Sequence, residues 1–217
     1  MGVPVLLVAT VKLVFADQPE VFQHLGVPLV GIFPLTSMFL VTSITMLRER
    51  TSGTLERLMT LPLAKLDILL GYALAFGALA VVQASVTAAV AFGLLDLEVD
   101  GPYSGVVALA VLNALLGMSM GLFLSAFAST EFQAVQFMPG FLLPQLLLCG
   151  LLVPRDCMAR GLEVLSDFLP MTYAYEALSR MAADDTGGQL VFEVLVLVAF
   201  MTGALTLGAA TLRRRTA

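Results

Sequence analysis

Residues 26–47 read GVPLVGIFPLTSMFLVTSITML and pass without a break into RERTSGTLERLMTLP at 48–62. The first stretch is uncharged throughout its 22 residues. That is enough helix to cross a hydrocarbon core of about 30 Å at 1.5 Å per residue. The second is charged, then patterned as a helix, then stopped by Pro62. In hydrocarbon a backbone pairs all its own amides only as a helix or a closed barrel, so the run at 26–47 makes this an α-helical membrane chain.

Working outward, residues 66–95, 103–128, 132–153 and 190–212 pass the same test, each bounded by charges or by Pro and Gly. A shorter apolar stretch, 3–15, holds Lys12 and ends at Ala16-Asp17-Gln18-Pro19. It reads as the outer half of a helix whose inner half is absent from the chain, with an interfacial segment or a buried stub as the alternative. Composition agrees: 59% apolar, 12% charged and a mean hydropathy of +0.96, against about 45–50% apolar and about 25% charged in soluble domains. The expected fold is all-α, one polytopic transmembrane domain over 1–217, with five full spans and a partial one. No positive segment precedes 3–15 and no small-residue cleavage site follows Phe15, so no secretory signal is expected.

Short loops rich in Lys and Arg stay on the cytoplasmic side. Arg48, Arg50, Arg57 and Lys65 follow the first full span, and Arg213, Arg214 and Arg215 end the tail. Both segments are expected inside; the five full spans between the segment before Gly26 and the tail place Asp17 and Glu20 outside, and Asp96, Glu98 and Asp100 with them. The long connection 154–189 then also lies outside. Amphipathic helices are expected within 158–181, dipping into or lying on the outer leaflet, with Glu176 and Arg180 at the i,i+4 spacing of an intrahelical pair.

The segment 48–61 reads as an amphipathic helix at the cytoplasmic face: Thr54 as its cap, Glu56 in the first turn, and Leu55, Leu58 and Met59 at helical spacing. A solvated loop obeying the positive-inside rule has the same composition. The run Arg48-Glu-Arg-Thr-Ser-Gly-Thr-Leu-Glu-Arg-Leu58, followed by Leu61-Pro62, resembles the signature of ABC type-2 transporter permeases, the group that includes the daunorubicin-resistance permease. A second similarity lies in Leu148-Cys-Gly-Leu-Leu-Val-Pro154 and in Leu169-Pro-Met-Thr-Tyr-Ala-Tyr-Glu-Ala-Leu-Ser-Arg180. Cys149 stands where Ser is common in the family, and Met158-Ala159 where Met-Pro is common.

The resemblance implies a six-helix half-transporter that pairs with a second permease copy and docks on a separate nucleotide-binding subunit. On that reading Arg48, Glu49, Arg50, Gly53, Thr54, Leu55, Glu56, Arg57 and Leu58 couple the chain to the ATPase. Gly150, Pro154, Pro170 and Tyr173 belong to an outer gate or re-entrant segment. The chain itself binds no cofactor, ATP and Mg²⁺ sitting on the partner. The implied location is a bacterial plasma membrane with the C-terminus inside. The implied cargo is a hydrophobic small molecule moving outward.

Polar residues within spans need partners or water. Thr36, Ser37, Thr42, Ser43, Gln83, Ser85, Asn113, Gln133, Gln136 and Gln145 are the candidates taken from this set, and Glu131 is read as the only charge at a span end. Asn113, Gln133, Gln136 and Gln145 are the pathway candidates; interhelical hydrogen bonding is the competing reading. Small residues at Ala110, Ala114, Gly117, Gly121, Ser125 and Ala128 make a close-packing face, toward another helix of this chain or a second copy. The eleven Met and fourteen Phe serve either as packing or as an adaptable apolar pathway.

Several classes fall away. No G-x-x-x-x-G-K-S/T loop occurs and the only lysines are Lys12 and Lys65, so ATP binding in the usual manner is not expected. A net charge of −5 argues against a nucleic-acid partner. With His24 as the sole histidine, an intramembrane enzyme is a weak alternative, and a non-transporting membrane scaffold is the other. Cys149 and Cys157 have no zinc-ligand spacing and read as free thiols.

Overall fold

The computed structural model describes residues 2–54, 57 and 65–211, all helical or irregular with no strand among them. The expectations for Leu55, Glu56, Leu58, Met59, Pro62 and the tail arginines, and for the side chains of His24 and Lys65, lie outside the described residues. Helix α1 is Val3–Val14, α2 is Pro19–Thr51, α3 is Lys65–Gly93 and α4 is Tyr103–Leu124. A broken helix follows: α5 (Glu131–Phe137), a π turn (Met138–Leu142) and α6 (Leu143–Leu148). After a 3-10 turn at Arg155–Cys157 come α7 (Arg160–Ser166), α8 (Pro170–Ala182) and α9 (Gly188–Thr211).

Among the described residues four helices are long and apolar enough to cross a membrane, within Leu25–Thr51, Leu70–Gly93, Tyr103–Leu124 and Gly188–Thr211. The expected span 132–153 differs. It is helical only to Leu148 and interrupted by the π turn. Pro139 lies inside that turn and Pro144 just beyond it; each removes a ladder donor, so the backbone widens there and does not continue a regular α-helix. The first span is also longer than expected, reaching from Pro19 to Thr51. Arg48–Thr51 therefore extend the spanning helix and do not open a separate one.

Helix α4 is the centre of the bundle, buried along most of its length. Its Gly117 and Gly121 lie directly on α2: a Cβ at Gly117 would stand 2.1 Å from the Leu35 carbonyl oxygen, and one at Gly121 2.5 Å from that of Phe39. The small-residue face thus packs within the chain. Helices α3 and α9 keep apolar outward faces, with Leu74, Val82, Val191 and Leu195 exposed, as lipid-facing surface requires.

The loops collect at two ends. At one, Lys12 Nζ donates to the Leu95 carbonyl (2.6 Å), Gln23 Nε2 to that of Asp96 (3.1 Å), and the Asp100 amide to that of Ala182 (2.9 Å). At the other, Arg48 meets Glu131 and Tyr72 meets Glu49.

Candidate functional site

The Arg48 end is built on the last turn of α2. Arg48 and Arg50 fall in that turn, where cations favour the helix dipole. The helix stops at Ser52–Gly53; Gly53 has φ +76°, left-handed backbone that glycine adopts readily. A new helical turn then begins, the Arg57 amide donating to the Gly53 carbonyl at 3.1 Å. Thr54, expected as the cap, instead has its hydroxyl 2.9 Å from that of Ser52. Gly53 supplies the first acceptor.

Arg48 forks onto Glu131 through Nε (2.7 Å) and Nη2 (2.9 Å), joining the end of α2 to the start of α5. Glu49 accepts from the Tyr72 hydroxyl at 3.3 Å, bringing in α3. Arg50 has its Nε and one terminal nitrogen buried without a hydrogen-bond partner. One short helix end thus gathers α2, α3 and α5.

At the opposite end the chain leaves α6 through Gly150, whose φ of +100° again calls for glycine. Pro154 opens the 3-10 turn, and Arg155 reaches from it to Ser166 Oγ (3.1 Å), to Asp167 and to Glu176. Burial works against the Arg155 charge, but Glu176 and Asp167 outweigh it and hold the guanidinium above its ordinary value. Helices α7 and α8 form a tied corner: Thr172 Oγ1 donates to the Ser166 carbonyl and the Tyr173 hydroxyl to that of Asp167, both at 2.8 Å. Pro170 occupies the first turn of α8, where a missing N–H costs nothing.

Helix α8 does not lie flat on the bundle. Its C-terminus is fixed at the loop end by the Ala182 carbonyl, while Pro170 at its N-terminus shares an apolar groove of about 510 Å³ with Met120, Phe141 and Gly203. Met120 is 17 residues along α4, about 26 Å from its start. Gly150, Pro154, Glu20, Glu163 and Glu176 line an open basin of about 890 Å³ above it.

Glu176 and Arg180 do not pair with each other. Glu176 binds Arg155, while Arg180 Nε donates to Glu193 at 2.7 Å and its Nη1 to Asp185 at 2.9 Å. Each side chain meets a partner on a neighbouring segment. Glu193 also corrects the reading of Glu131 as the only charge at a span end: it is the sixth residue of α9, 2% exposed, with Oε2 buried and unpaired. Its signal was present in sequence as a lone acid inside an apolar run.

The four pathway candidates separate. Asn113 is fully buried with both amide atoms unpartnered, beneath Gly31 and Leu178. Gln145 is 2% exposed and donates to the Phe141 carbonyl at 3.2 Å, its own oxygen unpartnered. Gln133 is engaged at the start of α5: its amide donates to the Oγ1 of the N-cap Thr130 (3.2 Å) and its side chain accepts from the Ser129 amide (2.9 Å). Gln136 is exposed. The structure does not bring these four to one place.

Long apolar helices around a buried central one, with a short helix inserted from one end, are the architecture of a multi-pass membrane protein. The chain belongs to the ABC-2 type transporter family, whose description it matches over residues 2–181. It is 29% identical over 138 residues to ABC transporter G family member 20 of Dictyostelium discoideum, covering 64% of this chain and 19% of that protein. It is 28% identical over 171 residues to the "Probable multidrug ABC transporter permease YbhR" of Escherichia coli, covering 77% of this chain and 45% of the relative. With the linearmycin resistance permease protein LnrN of Bacillus subtilis it shares 25% over 173 residues, 78% of this chain and 44% of the relative. The chain thus spans less than half the length of these curated relatives.

Proposed function

We propose that the chain is the membrane-spanning part of an ATP-driven exporter that moves a hydrophobic small molecule out of a bacterial cell. ATP and Mg²⁺ reside on a separate nucleotide-binding subunit, and a second permease copy completes the pathway. The observation that carries this reading is α2 itself. It runs from the basin end to Arg48–Thr51 as one helix and is there clasped to Glu131 at the start of the broken span. A push on residues 48–58 is thereby delivered to two spans at once.

On this reading Glu49, Arg50, Gly53, Thr54, Glu56 and Arg57 face the ATPase, while Leu55 and Leu58 fill a groove on it, apolar anchors within a charged rim. Names of the relatives support a drug-like cargo: multidrug for one, linearmycin resistance for another. The Arg48 end is cytoplasmic, as positive residues in short loops favour. The test is co-expression with its nucleotide-binding subunit and ATP-dependent uptake of an apolar drug into inverted vesicles. Glu56→Arg is expected to abolish uptake while the chain still inserts, and unchanged uptake would count against the assignment.

A further inference from the structure

Helix α8 is held in the bundle by few polar contacts, and one of them has a ready substitute. Arg180 reaches out of α8 to Glu193 on α9, a carboxylate that is 3% exposed. Four residues earlier on the same helix stands Glu176, which binds Arg155 through Oε1. Glu before Arg at i,i+4 is the favourable order for an intrahelical pair. Besides Asp185, which its Nη1 already holds just past the end of α8, Arg180 therefore has two carboxylates for its other nitrogens, Glu193 on a neighbouring helix and Glu176 on its own.

A second observation concerns what α8 covers. Leu178 packs over Gly31 and Asn113, and a Cβ at Gly31 would stand 2.4 Å from a Leu178 methyl and 2.7 Å from the Asn113 amide nitrogen. Beneath it Asn113 is fully buried with both polar atoms unpartnered. A buried amide without partners disfavours the state that buries it. The seated position of α8 thus carries a built-in bias toward release.

The attachments show how the helix can leave. Its C-terminal end is anchored by backbone, the Asp100 and Gly101 amides both donating to the Ala182 carbonyl at 2.9 and 3.1 Å. Its N-terminal end makes its hydrogen bonds to α7, through Thr172 and Tyr173, and otherwise rests on apolar packing, Tyr173 edge-on to Phe192 of α9 and Met171 buried in the core. The α7–α8 corner can move as one piece about Ala182.

We propose that Arg180 is a two-position switch: it seats α8 through Glu193 of α9, and it transfers to Glu176 of its own helix when the corner swings out and uncovers Asn113. No charge on α8 is stranded in either position. Glu193 lies near the start of α9, so the water that enters as α8 withdraws solvates it together with Asp185. The switch rests on the reading of α8 as the outer gate, and it names the contact that gates.

The test is solvent access to position 113 in membranes, with no need for transport. Asn113→Cys is made in a chain with Cys149→Ala and Cys157→Ser, inserted in vesicles, and its labelling by a membrane-impermeant maleimide is timed. Glu193→Gln removes the seated partner and is expected to speed labelling at least tenfold. Glu176→Gln removes the released partner and is expected to slow it severalfold. The double variant Glu176→Arg with Arg180→Glu keeps the i,i+4 pair while repelling both neighbours, and labels at least as fast as Glu193→Gln. Equal labelling in all of these overturns the switch, whatever transport does. Shifted labelling in a chain that moves no drug with its ATPase would instead leave the switch standing and remove the exporter reading.

Discussion

At Gly117 the distance between two helices is set by one missing methyl. A Cβ there would stand 2.1 Å from the Leu35 carbonyl oxygen, a backbone atom that cannot turn aside. Gly117→Ala is therefore expected to force α2 and α4 apart, at a cost of about 1–3 kcal/mol or more, read as a lowered melting temperature in detergent. Gly77 on α3 is the control, since its Cβ would meet only Leu115, at an ordinary 3.5 Å. Gly77→Ala should raise the melting temperature, because an interior helical glycine is about 0.5–1 kcal/mol worse than alanine. The sequence displayed the spacing of Gly117 and Gly121 but not their neighbour: i,i+4 repeats belong to one helix, whereas contact belongs to two. Glu193 was missed for a related reason. Its meaning lies in Arg180, 13 residues away on another helix.

Among elements, the clasp between α2 and α5 allows stability and coupling to be separated. Arg48 and Glu131 are both more than half exposed, at 65% and 53%, and an exposed pair contributes about 0–1 kcal/mol. Arg48→Glu should leave the melting temperature nearly unchanged while cutting ATP-dependent uptake severalfold. Combining it with Glu131→Arg should restore most of the uptake, because the reversed pair closes the same fork. Failure of the double variant to recover would show that Arg48 acts on the partner subunit alone. The broken span offers a second case. Pro139 and Pro144 stood in plain sight at 132–153, yet hydropathy counts side chains and not backbone donors, so an unbroken helix was the natural expectation. Pro144→Ala returns a donor to the ladder; melting temperature should rise and uptake fall if the π turn serves transport.

For the whole molecule, the pattern of charge was legible before any contact was known. Asp17, Glu20, Asp96, Glu98, Asp100 and the acids of 154–189 were expected on one side, Arg48, Arg50 and Arg57 on the other. The structure gathers the first group around the basin and its adjoining loops, and the second at the far end of α2. What sequence could not give was depth: α7 and α8 have the composition of surface helices, and only their packing puts Pro170 beside Met120 and Gly203. Sidedness is then testable with the native thiols. Cys157 is exposed at the basin end, while Cys149 is buried with Sγ donating to the Leu146 carbonyl at 3.2 Å. In intact cells an impermeant maleimide should label Cys157 and spare Cys149. Arg57→Cys in a Cys157→Ser background should label only after the membrane is opened. The reverse order would place residues 48–58 outside the cell, where no ATPase could reach them, and the coupling role of that segment would fall with it.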